Sequence, residues 1–102
     1  HRPFAFAGLW EQWQPPEGAV IESCTILTTE PNELLKPIHN RMPVILAPTA
    51  YDQWLDPTFQ RAEYLKALLR PYPSEELLAY PVSTLVNNPR HDAPECLEPL
   101  PV

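Results

Sequence analysis

Glycine, cysteine and basic residues are all scarce in this sequence of 102 residues, which has two glycines, two cysteines and seven lysines plus arginines. Thirteen acidic residues give a net charge of −6, which argues against generic binding along a nucleic-acid backbone because such binding needs clustered positive charge. A few arginines in one groove can still form a small local site. No apolar run approaches the roughly 20 residues of a membrane span, so we expect no membrane partner.

The two cysteines, Cys24 and Cys96, lie far apart, and neither belongs to a Cys-x-x-Cys pair. The three histidines, His1, His39 and His91, are also separated, and no spacing typical of a zinc site occurs. We therefore expect no metal and no other cofactor. The cysteine pattern is typical of reduced thiols in an intracellular protein.

Proline is abundant, with fifteen residues, and favours short elements with stiff connections over a long helical bundle. Residues 2–13 predict a strand that is apolar on both faces, as is typical of a strand buried inside a sheet. Residues 20–29 predict a second strand, paired with the first as a hairpin, and residues 42–46 predict a third, short strand. Residues 80–87 are a final strand candidate, and the tail from Pro89 predicts coil.

Helical patterns occur between these strands. Thr29 is placed to cap a short helix over residues 30–38. Asp56 and Pro57 open the longest predicted helix, which ends at Arg70 and carries one apolar stripe. The sequence therefore predicts an α+β fold, with too few strands to complete a sheet.

His39 differs from an ordinary core histidine in its setting, because it lies where the predicted helix ends and a strand begins. Pro37 and Pro43 stiffen the backbone on either side of it. Arg41 follows two residues later, so in an extended chain both side chains point to the same side, where they would offer an anion two contacts. From these features alone, a structural histidine at a junction remains the favoured interpretation.

Other residues suggest competing chemistry. Cys24 and His39 are the components of a thiol hydrolase, but a cysteine in mid-strand among apolar neighbours usually only packs. Trp10 and Trp54 are expected in the core. Trp13, at the edge of a proline-rich turn, is a candidate for base stacking or for docking a partner in a non-enzymatic binding or assembly module.

Five segments of the sequence resemble, in order, the C-terminal half of the SRAP domain, the SOS-response-associated peptidase family. The combination of FAGLWE, a Thr-Thr pair and HNRMPVIL at these spacings is specific, although no single segment is. The segments are FAFAGLWE (4–11), SCTILTTEPN (23–32), IHNRMPVIL (38–46), WLDP (54–57) and YPVSTLVNNPRHDAPECLEPL (80–100).

The resemblance implies a protein that recognises abasic sites in single-stranded DNA and cross-links to them covalently. The family's nucleophile is an N-terminal cysteine, exposed by self-processing, whose amine and thiol close on the sugar aldehyde to give a thiazolidine. The histidine of the family's HxRMP motif matches His39 and is the expected proton donor. Thr28 is expected to face the sugar or its phosphate, and Arg41 either supports the DNA backbone or braces the site.

The resemblance also implies a fold and a location. The family fold is a compact, mainly β, barrel-like structure with short flanking helices, and residues 1–102 match only the C-terminal portion of that single domain. We therefore expect the nucleophilic cysteine to lie upstream, this chain alone to be inactive, and an exposed sheet edge to invite pairing with another chain. A cytoplasmic, nucleoid-associated location is expected for such a DNA-damage protein.

Overall fold

A computed structural model describes residues 2–101, so that His1 lies outside the described residues. The predicted α+β class is confirmed. Within these residues, six strands form three separate antiparallel pairs, β1–β6, β2–β3 and β4–β5, and the helices are short. The strands are β1 (Ala5–Phe6), β2 (Gly8–Trp13), β3 (Ile21–Ile26), β4 (Thr28–Thr29), β5 (Met42–Pro43) and β6 (Ile45–Leu46). The helices are α1 (Tyr51–Leu55) and α2 (Ala62–Ala67), with 3-10 turns at Pro48–Ala50, Ser74–Glu76, Thr84–Asn87 and Pro94–Leu97.

Three chain segments meet at a junction formed by Ala7, Leu27 and Val44. On the two sides of the junction, each segment pairs with a different strand partner. The N–H of Ala7 donates to the carbonyl of Val44 at 2.8 Å, that of Val44 to Leu27 at 2.9 Å, and that of Leu27 to Ala7 at 2.9 Å. These bonds form a closed ring, so each of the three residues donates once and accepts once. Ala7 and Val44 are fully buried, and buried backbone groups need such partners. The core lies here, with Leu46 as its third buried member.

The β2–β3 hairpin, here called the ribbon (residues 8–26), confirms the predicted pairing but not the predicted burial. Trp10 and Trp13 are 67% and 60% exposed, and Cys24, opposite Trp10, is also exposed. No second layer covers the ribbon within the described part of the chain. Trp54 is half-buried, as expected of a core residue, and its indole N–H donates to the carbonyl of Gly8 at 3.2 Å.

The predicted helices are shorter than expected or absent. Residues 33–38 form consecutive turns rather than a helix, because Pro37 has no N–H to continue the hydrogen-bond ladder. The long helix predicted to end at Arg70 is reduced to Ala62–Ala67. Its predicted start is instead a turn, in which the Asp56 carboxylate accepts from the backbone N–H of Thr58 at 2.9 Å.

The C-terminal region contains more structure than the predicted coil and less strand than predicted. The strand proposed over residues 80–87 is wrong, because the Ser83 hydroxyl accepts from the N–H of Leu85 and begins a 3-10 turn there. Val82 still makes a single antiparallel bridge to Pro99, and the tail is thereby tied back to the segment before it.

The chain exposes far more surface than a compact domain of its mass. Its accessible area is 8891 Å², whereas a compact monomer of 11.7 kDa exposes about 5,900 Å². Its radius of gyration of 17.4 Å likewise exceeds the roughly 13 Å expected for this length. The strands of residues 2–101 form three separate pairs that do not close into a barrel, so the barrel-like part of the predicted fold is not shown. None of the helices in this range is long and apolar enough to cross a membrane.

Candidate functional site

The predicted site residues lie on one hairpin, formed by β4 and β5. Thr29 lies opposite Met42, so that residues 30–41 form the connecting loop, here called the His39 loop. Met42 is buried at the base of this loop, whereas His39 and Arg41 are exposed near its end. The hairpin thus anchors both ends of the loop while its functional side chains face solvent.

Arg41 joins the two strands of the hairpin through its side chain. Its Nη2 donates to the carbonyl oxygen of Thr28 at 2.8 Å and to the Thr28 hydroxyl at 3.0 Å, and its Nε donates to the same hydroxyl at 3.2 Å. The planar guanidinium suits this forked contact, which a lysine would not reproduce. No carboxylate of the described residues pairs with Arg41, so its positive charge remains available to an anion.

The His39 ring is held by the backbone of the same arginine. The N–H of Arg41 donates to Nδ1 of His39 at 3.2 Å. Since this bond requires a lone pair on Nδ1, the ring proton of the neutral imidazole lies on Nε2. The exposed His39 therefore presents an Nε2–H donor to solvent. Arg41 is the link that joins His39 to Thr28, and the structure brings the three predicted residues together through it.

The alternative chemistry gains no such support. The described contacts place Cys24 opposite Trp10 in the ribbon, and none joins its thiol to His39. Cys96 is buried, and its thiol donates to the carbonyl of His91 at 3.7 Å. Within residues 2–101, no cluster of three or more His, Cys, Asp or Glu side chains is arranged to hold a metal ion.

Sequence reasoning missed Asn32, which is 8% exposed and lies at the start of the His39 loop. Its side-chain oxygen accepts from the N–H of Leu35 at 3.0 Å, and its amide nitrogen donates to the carbonyl of Tyr72 at 2.7 Å. A Pro-Asn pair before a helical pattern is a capping signal that the sequence contained, but the contact with Tyr72 is long-range and left no local signal.

Comparisons with known proteins agree on one family. Residues 1–89 match the family described as SOS response associated peptidase (SRAP). The abasic site processing protein YoqW of Bacillus subtilis (strain 168) is 50% identical over 95 residues, which cover 93% of this chain and 42% of that protein. The abasic site processing protein HMCES of Pongo abelii is 41% identical over 101 residues, covering 97% of this chain and 28% of that protein.

One solved structure has a fold similar to that of this chain. A crystal structure of a protein from Bacteroides thetaiotaomicron matches this chain with a TM-score of 0.79 and 28% identity, covering 95% of this chain and 43% of that one. The chain thus spans less than half the length of each of these relatives. The resemblance noted in the sequence is confirmed, and the chain belongs to the SRAP family.

Proposed function

We propose that this chain supplies the histidine-bearing part of a site that processes abasic sites in single-stranded DNA. The observation that carries the proposal is the linked arrangement of Thr28, His39 and Arg41 on one exposed hairpin. Relatives named as abasic site processing proteins, at 41–50% identity over nearly the whole chain, support the substrate class. The word peptidase in the family description supports a peptidase activity of the intact protein, which we assign to its self-processing.

The proposed reaction is a covalent cross-link between the ring-opened sugar and an N-terminal cysteine. The cysteine amine adds to the aldehyde carbon, the resulting hydroxyl leaves as water, and the thiol sulfur adds to the same carbon to close a thiazolidine. His39 donates a proton to the departing hydroxyl, and the thiol releases one as it closes the ring. The net change is loss of one water, so no oxidant or reductant is needed.

The Nδ1 contact of His39 favours the neutral ring with its proton on Nε2, which is not the form that completes the proton transfer. Full proton transfer requires the imidazolium, whose second proton on Nδ1 breaks the bond from the Arg41 N–H. That bond is exposed and 3.2 Å long, so it is a weak one. The neutral ring can therefore hydrogen-bond the leaving oxygen through Nε2–H, and the protonated ring can complete the transfer from the same atom.

Arg41 and Thr28 are assigned supporting roles. The guanidinium, already fixed by three hydrogen bonds to Thr28, is placed to attract a DNA phosphate without further ordering of a flexible side chain. The net charge of the chain is negative, but a local site needs only local positive potential, which this fixed guanidinium supplies. Thr28 itself holds Arg41 and is assigned to face the sugar or its phosphate.

We further propose that residues 1–102 form the C-terminal portion of a single domain and that the nucleophile lies outside them. The area in excess of a compact domain, about 3,000 Å² on this chain alone, is well above the roughly 800 Å² per partner of a standard interface, which fits a chain that packs against further polypeptide. The share of YoqW that the chain covers, 42%, fits the same interpretation.

The test is the rate of cross-linking by the intact protein to single-stranded DNA with one abasic site, measured as a product that survives denaturation. His39→Ala should slow the reaction by about 100-fold or more, since a positioned general acid contributes about 10²–10⁴-fold. His91→Ala is the matched control, because His91 is equally exposed but lies in the C-terminal region. This chain alone should give no product.

A normal rate for His39→Ala would remove this histidine from the mechanism. Covalent product from the chain alone would show that the nucleophile lies within these residues, contrary to the proposal. Binding of the DNA without any covalent product in the intact protein would favour the alternative, a non-enzymatic binding module.

A further inference from the structure

The His39 loop is held in place by one buried amide. Among the described residues, Asn32 is the one polar residue that is buried. Both the oxygen and the nitrogen of its side-chain amide are hydrogen-bonded. The oxygen accepts from the N–H of Leu35 within the loop, and the nitrogen donates 2.7 Å to the carbonyl of Tyr72, forty residues away. The amide therefore connects the loop to a segment that is remote in sequence.

Backbone bonds continue from Asn32 to the histidine. The carbonyl of Asn32 accepts from the N–H of Lys36 at 2.9 Å, and the carbonyl of Leu35 accepts from the N–H of His39 at 3.0 Å. Two consecutive turns thus extend from Asn32 to His39, and Pro37 stiffens the second. A displacement of Asn32 is transmitted along these turns to the position of the imidazole.

Two further contacts fix the same end of the loop. The N–H of Asn32 points at the sulfur of Met42 at 3.3 Å, and the hydroxyl of Ser74 accepts from the N–H of Leu34 at 3.2 Å. Met42 directly follows Arg41, the residue that holds the His39 ring and contacts Thr28. Asn32 is therefore fixed relative to the hairpin, through Met42, and relative to the remote segment at Tyr72.

The chemistry of both contacts requires an asparagine. An aspartate at this position would still accept from the N–H of Leu35, but it would place an acceptor against the carbonyl of Tyr72, where a donor is needed. A serine would keep a short capping oxygen and would lack any group that reaches Tyr72. A cap alone would be satisfied by either residue, so the second contact is the one that distinguishes asparagine.

We propose that Asn32 is a positioning residue that sets the place and the hydrogen bond of the His39 imidazole. The inference extends the proposed function, because it matters for reaction only if His39 is the proton donor. It is a statement about geometry, however, and is tested on the intact protein without any DNA.

The experiment compares the ring nitrogen chemical shifts of His39 in the ¹⁵N-labelled intact protein and in two variants of it, Asn32→Asp and Asn32→Ser. The unsubstituted protein should show the Nε2–H tautomer, with Nδ1 as acceptor. Both variants should shift His39 toward a mixture of tautomers. His91, whose Nδ1 lies 3.1 Å from the carbonyl of Leu85, is an internal reference that should not change. Asn40→Asp is the matched control, since it adds the same charge to the same loop at an exposed position.

Unchanged His39 shifts in a folded Asn32→Ser or Asn32→Asp protein would overturn the proposal, as would an equal change in Asn40→Asp. If the aspartate variant does not fold, the neutral serine variant decides alone. In the intact protein, Asn32→Ser should slow cross-linking by about ten- to hundredfold with little change in DNA affinity. Altered shifts with a normal rate would support the positioning by Asn32 and would instead contradict the assigned role of His39.

Discussion

Gly8 marks the point at which the first segment leaves the junction and enters the ribbon, and we expect that no other residue fits there without cost. A Cβ added to Gly8 would lie 3.0 Å from the backbone oxygen of Thr25 on the partner strand. Because that oxygen belongs to a paired strand, no side-chain rotation can relieve the contact, and the two strands must move apart. Overpacking of this kind costs about 1–3 kcal/mol.

Gly18, in the loop of the same ribbon, is the matched control for Gly8. Its added Cβ would lie 3.1 Å from Cγ of Pro15, a ring atom that can move by changing pucker. Neither glycine has a positive φ, so alanine fits both backbones, and the lower entropy of the unfolded chain stabilises each variant by about 0.4–1 kcal/mol. Gly18→Ala should be neutral to slightly stabilising, and Gly8→Ala should be less stable than Gly18→Ala by about 1–3 kcal/mol.

Thermal and urea unfolding, followed by tryptophan fluorescence and circular dichroism, measure this difference. For a chain of this size, 1 kcal/mol corresponds to about 4–8 °C in Tm, so the two alanine variants should be clearly separated. Equal unfolding midpoints would refute the reasoning, because they would mean that the strands at Gly8 are not packed as closely as 3.0 Å requires.

Two further substitutions test the core and one titrating turn. Val44→Ala should lower the free energy of unfolding by about 1.5–3 kcal/mol, since it removes buried methyl groups at the junction. Val86 is 47% exposed, so Val86→Ala should change the free energy of unfolding by less than about 0.5 kcal/mol in the same urea titrations. Hydrogen bonds from the Thr58 hydroxyl, the largest cause, and from its backbone N–H lower the pKa of Asp56. This interaction stabilises the folded chain above the ordinary carboxyl pKa, and the stabilisation is lost as pH falls through the lowered value. Thr58→Val should raise the pKa of Asp56 in a carboxyl NMR titration, and an unchanged titration would contradict the assignment.

The ribbon was predictable as a hairpin because alternation and turn composition are local signals. The spacing of His39 and Arg41 predicted that both side chains point to the same side, and this stays a prediction, because the contact between the two residues runs from the Arg41 backbone N–H to Nδ1 of His39. What the sequence could not show is that the Arg41 side chain turns back across the hairpin to Thr28, thirteen residues earlier. That contact depends on the pairing of β4 with β5, which no local pattern encodes.

The burial of the ribbon was predicted wrongly for a different reason. Apolar side chains on both faces of a strand indicate that something covers both faces, but they do not say that the covering residues are in the same chain. Trp10 and Cys24 are apolar-strand residues that the described part of the chain leaves exposed. The predicted length of the helix after Asp56 was wrong. The Asp56 carboxylate bonds the N–H of Thr58, and this local bond competes with helix formation at that position.

The ribbon and the His39 loop therefore depend on different parts of the intact protein. The loop is fixed by contacts internal to this chain, from Asn32 to Tyr72 and from Arg41 to Thr28. Within the described residues, the ribbon is held at its junction end, where Trp54 donates to Gly8, and its side chains Trp10 and Trp13 remain exposed. If the proposed division of the domain is correct, substitutions of exposed ribbon residues such as Trp13 act on the folding of the whole protein. On the same proposal, substitutions in the His39 loop act on the chemistry.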